Sequence, residues 1–289
     1  MTRTPAAGLA ASLRSAGFRG TLKVDEPLAP YTTWRIGGPV DLLAQPLDRA
    51  DLILGLAWAG ERGVPWRVLG NGSNLLVRDE GVRGLVMWIR RTLETVTIRG
   101  TRIEADAGAS FPAVANRAAA AGLGGLEFGA GIPGTIGGAV VMNAGWHEYE
   151  IGNVVQSVEY LGVDGSARRW SHDECAFGYR RSAFRGRRGV VLGCAMELAR
   201  DEPARVKSRL ESFTSSRKEN QPTEMASCGS VFLKPPGDFA GRLIDAAGLK
   251  GLRVGGVEVS AKHANFFVNV GGGTCADALA LVERVETEV

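Results

Sequence analysis

The sequence has 289 residues, 45% hydrophobic and 22% charged, enough chain for two domains with sizeable cores. A net charge of +3, with both signs interspersed, excludes the basic footprint of a nucleic-acid-binding protein while tolerating small anionic ligands. No apolar run approaches the roughly 18 residues of a membrane helix, and no membrane partner is expected. Cys175, Cys194, Cys228 and Cys275 lie far apart with no C-x-x-C pair, which argues against a zinc ribbon and fits a reducing cytosol. The Ala-rich N-terminal stretch is short and broken by Arg14, unlike a signal peptide, so a cytoplasmic location is expected.

In chain order, residues 1–20 carry Leu9, Leu13 and Ala16 at helical spacing and stop at Gly17. Tyr31–Val40 is β-branched and aromatic, a strand pattern leading into a Gly-Gly-Pro turn. Asp48 is placed to cap a helix with the apolar face Leu52, Ile53, Leu56 and Ala57, ended by Gly63 and Pro65. Trp66–Leu69 reads as a strand running into Gly70-Asn-Gly-Ser-Asn74, followed by a second extended run, Leu75–Val77. The loop is neither G-x-G-x-x-G nor a Walker A motif. Two readings stay open: a tight hairpin, for which Asn-Gly is the strongest short signal, or a nest of N–H groups around a diphosphate.

Strands follow at 85–89, 95–98 and 102–106, then a helix capped by Ser110 and ended at Gly122. Phe128–Gly145 holds six glycines in eighteen residues, with Ile132, Ile136, Val140, Val141 and Met142 interleaved and no charge. A solvated linker has no use for those side chains, so the stretch reads as a buried, ligand-contacting loop. Strands are expected at 154–161, around Trp170 and at 189–198. A charged helix opens at Asp201-Glu-Pro203 and breaks at Lys218–Pro222, with a domain boundary near 200. Beyond it come a helix at 238–247 closed by Gly248, strands at 256–260 and 264–270, and a last helix from Thr274 with Asp277 closing a capping box.

Among residues that could carry chemistry, Tyr179-Arg180 lies between Phe177 and Phe184, and a desolvated guanidinium needs an anionic partner that nothing nearby in sequence supplies. A substrate carboxylate would serve; a solvated basic loop is the other reading, since Arg185, Arg187 and Arg188 follow. Ser230 stands at the mouth of a strand without a G-x-S-x-G motif. His147, His172 and His263 show no metal spacing, and no metal is expected.

Taken together these segments resemble the UDP-N-acetylenolpyruvoylglucosamine reductases. Tyr31–Val40, Gly70–Asn74, Gly131–Gly138 with Asn143-Ala-Gly145, Tyr179-Arg180 and Gly229-Ser230 occur in that family's order, followed by Gly241–Asp245, Ala247–Gly251 and Lys262–Phe266. The resemblance runs from about residue 20 to the end. The short spacing between Arg180 and Ser230 is similar to the subtype without an inserted tyrosine loop.

The resemblance implies an α+β protein: a vanillyl-alcohol-oxidase/PCMH-type FAD-binding fold of two α+β subdomains plus a C-terminal α+β substrate-binding domain. The expected divisions are 1–30 for the N-terminal helix and lead-in, 31–200 for the FAD-binding domain (31–90 and 91–200), and 201–289 for the substrate domain. It implies non-covalent FAD, with Arg35, Gly70, Asn71, Gly72, Ser73, Asn74 and Leu75 around the diphosphate. Gly131, Pro133, Gly134, Thr135, Gly137, Gly138 and Asn143 would lie against the flavin. It further implies NADPH as co-substrate in a ping-pong cycle, and a monomer.

The implied substrate is the enolpyruvyl ether of UDP-N-acetylglucosamine. Arg180 would stabilise the enolate formed on hydride transfer, Ser230 would protonate it, and Tyr179, Lys234 and His263 would contact substrate. Two departures stand out. Leu233-Lys234 replaces the family's more frequent Lys-Asn, and the family's catalytic glutamate, in a strand after the last helix, is matched only by Glu288 at a chain end expected to be truncated. The alternatives are another flavin-dependent oxidoreductase of the same fold, or a flavin- or UDP-sugar-binding module with impaired turnover.

Overall fold

A computed structural model describes residues 6–289. The chain forms two compact units that are discontinuous in sequence. The first takes the described residues through Val24, then 42–71 and 84–215; the second takes 25–41, 72–83 and 216–289. The last boundary between these units falls at 215/216, whereas a linear division at 200 is expected from the sequence, and two earlier segments group with the C-terminal part. The first five residues of the expected N-terminal helix lie outside the described residues.

In the first unit, α1 (Ala6–Ser15) buries Leu13. A four-stranded sheet has the order β1 (Thr21–Pro27), β2 (Pro39–Gln45), β4 (Val82–Trp88), β3 (Trp66–Leu69). Asp48 caps α2 (Arg49–Glu61), accepting from Asp51 N at 2.9 Å. Asp51 is itself buried, and it takes the backbone N–H groups of Arg19 (2.9 Å), Gly20 (2.7 Å) and Leu47 (3.0 Å). A buried carboxylate is tolerable only with such a set of donors.

The second sheet has five strands in the order β11-β10-β12-β6-β5, formed by β5 (Val96–Arg99), β6 (Arg102–Asp106), β10 (Val155–Gly162), β11 (Ala167–Ser171) and β12 (Gly189–Glu197). Its pairings are antiparallel throughout. Between β6 and β10 lie α3 (Phe111–Ala120), β7 (Leu123–Gly124), α4 (Ile136–Met142) and a two-strand hairpin of β8 (Gly145–Trp146) and β9 (Tyr149–Glu150). β13 (Ala199–Arg200) pairs with β7 before α5 (Pro203–Asn220) begins. One apolar cluster, including Leu42, Met87, Ile103, Phe111, Val158 and Met196, joins both sheets and their helices. Each such side chain contributes roughly 1.5–3 kcal/mol by leaving water.

The second unit packs α6 (Ala240–Ala246) and α7 (Cys275–Glu288) with an antiparallel sheet of β14 (Arg253–Val254), β15 (Val257–Val259) and β16 (Phe267–Asn269). Its core holds Trp34, Ile36, Ile244, Val257, Phe267 and Leu281. The capping box of α7 is present in both halves, Asp277 N to Thr274 Oγ1 and Thr274 N to Asp277 Oδ2, each at 3.0 Å. A second carboxylate, that of Asp79, accepts from Cys275 N (2.8 Å) and Ala276 N (2.9 Å), which covers two more of the helix's free donors.

Three local expectations are corrected. Tyr31–Ile36 is not a strand: a 3-10 turn at Ala29–Tyr31 and a bend send Trp34 and Ile36 into the second core, and the strand begins at Pro39. Leu75–Val77 is likewise irregular. Because β3 and β4 run parallel, in register Trp66↔Leu85 to Leu69↔Trp88, the 70–81 connection is a crossover and not a hairpin. The glycine stretch contains a helix, α4, where a loop was expected, started by the side chain of Thr135 accepting from Gly138 N.

Candidate functional site

The first unit gathers the residues expected around the flavin at the start of α4, and Arg180 at its end. Phe111 N donates to Gly134 O (3.0 Å), Ile136 N to Ala109 O (2.9 Å) and Gly137 N to Ala107 O (2.8 Å), so the 131–138 segment is bonded to the end of β6 and the start of α3. Gly131, Pro133, Gly134 and Gly138 reach the surface, whereas Thr135 and Gly137 are buried.

Asn143 ends α4 in the left-handed conformation (φ 42°), which asparagine tolerates better than most residues. It is 1% exposed. Its amide is spent inside the protein: Nδ2 donates to Glu150 Oε2 (2.6 Å) and Gly178 O (3.1 Å), and Oδ1 accepts from Gly152 N (2.9 Å). The side chain expected to touch the cofactor is thus a structural cross-link.

Arg180 occupies the third position of a β-turn closed by two hydrogen bonds, Gly178 N to Arg181 O (3.0 Å) and Arg181 N to Gly178 O (2.9 Å). Its φ of 53° is a strained choice for a non-glycine residue and worth a functional question. The guanidinium donates to Gly145 O (2.8 Å) and Asn143 O (3.4 Å), stands 3.9 Å from Glu150 Oε1 and 5.1 Å over the Tyr179 ring. Sequence proximity gave Arg180 no anionic neighbour; the fold supplies Glu150 through the β8–β9 hairpin, where Glu150 pairs with Gly145. No local pattern announces that pairing, because it depends on a turn placing His147 at φ 55°. Tyr179 is 55% exposed and open to a ligand.

The loop expected to hold a diphosphate carries Gly70 O as acceptor for Trp88 Nε1 (3.1 Å) and Gly72 O as acceptor for Thr33 N (3.2 Å). Gly72 has φ 63°, and its backbone presses on Tyr31 and Thr32 so closely that a side chain has no room. Among the described residues, the N–H groups of Asn71, Gly72, Ser73 and Asn74 donate to no protein acceptor. Four successive donors are thus left available to an anionic ligand. Asn74 and Leu75 are exposed, as is Arg35, itself at φ 56°.

In the second unit, Ser230 follows Gly229 (φ 88°) and bridges Phe266 as a short antiparallel pair. Val231 N donates to Asn265 O (2.8 Å), while Asn265 clasps Phe232 with both side-chain atoms, Oδ1 from the N–H and Nδ2 to the C=O, each at 2.9 Å. The exposed Ser230 hydroxyl has no hydrogen bond among the described residues. Thr33 Oγ1 donates to Ser227 O (2.7 Å), holding the chain just before it. Lys234 lies 4.3 Å over the ring of Phe239.

His263 is half-buried, and its Nδ1 accepts from Asn265 N (3.2 Å). Burial, with Lys250 adding repulsion, holds its pKa below the ordinary 6.5. Burial likewise pushes the Cys228 and Cys194 thiols up to about 12, so neither is a thiolate nucleophile. Glu288 forms an exposed ion pair with Arg284 at 3.0 Å on the last turn of α7.

Residues 221–289 match the family model of the UDP-N-acetylenolpyruvoylglucosamine reductase C-terminal domain, and residues 40–171 that of an FAD binding domain. The UDP-N-acetylenolpyruvoylglucosamine reductase of Rubrobacter xylanophilus is 48% identical, over 92% of this chain and 90% of its own length. The chain belongs to the UDP-N-acetylenolpyruvoylglucosamine reductase family. The reductase of Moorella thermoacetica is 47% identical over 94% of this chain and 90% of its own. The crystal structure of the Thermus caldophilus reductase superposes with a TM-score of 0.82 at 39% identity, covering 94% of this chain and 96% of that one. The fold is therefore that of an FAD-binding domain with the reductase C-terminal domain, and FAD is the cofactor. No described helix is long and apolar enough to cross a membrane.

Proposed function

We propose that this chain is an NADPH-dependent flavoenzyme that reduces the enolpyruvyl ether of UDP-N-acetylglucosamine to UDP-N-acetylmuramate for peptidoglycan synthesis, acting as a cytoplasmic monomer. The observation that carries the reading is the Arg180 seat: a cation in a strained turn, held by two backbone carbonyls with Glu150 nearby, and still 30% exposed. Bound FAD would supply hydride transfer, taking a hydride from NADPH and giving it to the vinyl carbon of the substrate.

The chain's own residues do the rest. Asn71–Asn74 would offer their N–H groups to the diphosphate of the cofactor, with Arg35 as a further cation, and the 131–138 segment would lie against its ring. Arg180 fixes the substrate carboxylate and stabilises the enolate that builds on it, a preorganised charge aimed at a developing one. Ser230 delivers the proton to the adjacent carbon; its hydroxyl is exposed and makes no hydrogen bond among the described residues. Tyr179, Lys234 and His263 line up the sugar nucleotide.

The test is an anaerobic visible spectrum. NADPH added to the purified holoprotein bleaches the flavin, and enolpyruvyl-UDP-N-acetylglucosamine then restores it. Bleaching without recovery would leave a flavin- or UDP-sugar-binding module. A protein unable to take up FAD would contradict the assignment of both glycine-rich segments.

A further inference from the structure

We infer that Glu150 is a positioning residue for Arg180, and that it sets how strongly the guanidinium favours the transition state over the bound ground state. This rests on the reading of Arg180 given above. Glu150 Oε1 stands 3.9 Å from the guanidinium, too far for a direct hydrogen bond, so it acts on Arg180 as a charge. Its other oxygen is fixed by Asn143 Nδ2 at 2.6 Å, and Asn143 is in turn locked by Gly178 O and Gly152 N. A carboxylate that is 21% exposed is costly unless something uses it, and Asn143 already has an acceptor in Gly178 O.

The three negative points facing the guanidinium, Asn143 O, Gly145 O and Glu150 Oε1, all derive from residues 143–150. Together they dictate which N–H groups remain for substrate. Gly145 is needed for the arrangement, since a Cβ there would come within 2.8 Å of Glu150 Cγ. The hairpin is itself braced: Trp146 and Tyr149 pack on Phe213 of α5 at 5.6 and 5.4 Å between ring centroids. A nearby carboxylate lowers the attraction of Arg180 for any negative charge, so its presence does not tighten substrate binding. What Glu150 contributes to the rate is orientation, keeping the free N–H groups aimed where the enolate charge develops.

Glu150→Gln keeps the shape and an acceptor for Asn143 and removes the charge. The FAD-loaded enzyme is reduced anaerobically with dithionite, so that no nicotinamide enters, and mixed with enolpyruvyl-UDP-N-acetylglucosamine while flavin reoxidation is followed. The expected result is a limiting rate about 10–10²-fold lower, the scale of a misplaced catalytic group, with substrate bound as tightly as by wild type or tighter. In an Arg180→Ala background the same change has no further effect.

An unchanged rate in Glu150→Gln, with Arg180→Ala strongly impaired, overturns the role of Glu150 alone. Multiplying losses in the double variant also overturn it, because Glu150 then acts independently of Arg180. A wild-type rate in Arg180→Ala overturns the reading of Arg180 itself. Should Glu150→Gln fail to retain flavin, Glu150→Asp is read the same way: its shorter side chain cannot serve Asn143 and Arg180 together, and slower reoxidation that vanishes as a separate effect in the Arg180→Ala background is expected.

Discussion

Both chemical candidates depend on a buried asparagine, and the two asparagines work differently. Asn143, in the first unit, sits at a helix end with φ 42° and ties three separate backbone stretches together through its amide. Asn265, in the second, imitates a peptide: its side chain makes the pair of hydrogen bonds to Phe232 that a neighbouring strand would make. The difference follows from what each must hold. A guanidinium acts by direction and charge, so it needs negative groups converging from several sides. A hydroxyl rotates to suit its partner, so fixing the strand edge beneath it is enough.

The comparison breaks most visibly at the two side chains themselves. Arg180→Ala should slow reoxidation of the reduced flavin by substrate about 10³-fold, the cost of deleting a preorganised donor at developing charge. Flavin reduction by NADPH should be unchanged. Stopped-flow traces of the two half-reactions decide it; a loss confined to the NADPH step would reverse the assignment. Ser230→Ala should cost about 10²-fold in the same substrate step, as for loss of a general acid, with flavin binding intact. A larger loss than for Arg180→Ala would mean that protonation, and not charge stabilisation, dominates.

The asparagines come next. Asn143→Ala strands Gly152 N, leaves Glu150 without its 2.6 Å donor and moves alanine into a left-handed φ. We expect about 3 kcal/mol less stability in urea unfolding. Asn265→Ala leaves the Phe232 N–H and C=O unpaired at normal φ and should cost about 2 kcal/mol. Equal losses would remove the distinction drawn between the two.

The smallest effect concerns pH. Because the folded protein holds His263 below its ordinary 6.5, the unfolded chain binds the proton more readily. Stability should therefore fall as pH drops below 6.5 toward the folded pKa and be insensitive to this group above 6.5. Replacing His263 by Gln should flatten that segment of the stability–pH curve, and an unchanged slope would assign it to other groups.

Local signals were legible where one residue and its near neighbours decide the outcome. Asp48, Ser110 and the Thr274–Asp277 box each announced a helix start, and each side chain makes its capping bond. β6 at Arg102–Asp106 follows from alternation over five residues. The failures share a cause in distant partners. Tyr31–Ile36 has strand composition, but Trp34 and Ile36 are drawn into a core whose other members lie more than 200 residues away. The glycines of α4 disfavour helix locally, and bonds to 107–109 together with packing on β12 and β6 override that preference. Among the candidate residues, Arg180 and Ser230 entered through the family resemblance, while Glu150 did not, since only the hairpin register brings it to Arg180.

The Asp79 cap on α7 joins residues 196 positions apart. During synthesis at about 5–20 residues per second, Asp79 is made about 10–40 s before the helix that it caps. The second unit, assembled from three stretches of chain, cannot close until α7 has been made. The nascent protein would spend that interval with Trp34 and Ile36 uncovered, the stage at which chaperones have the most to hold.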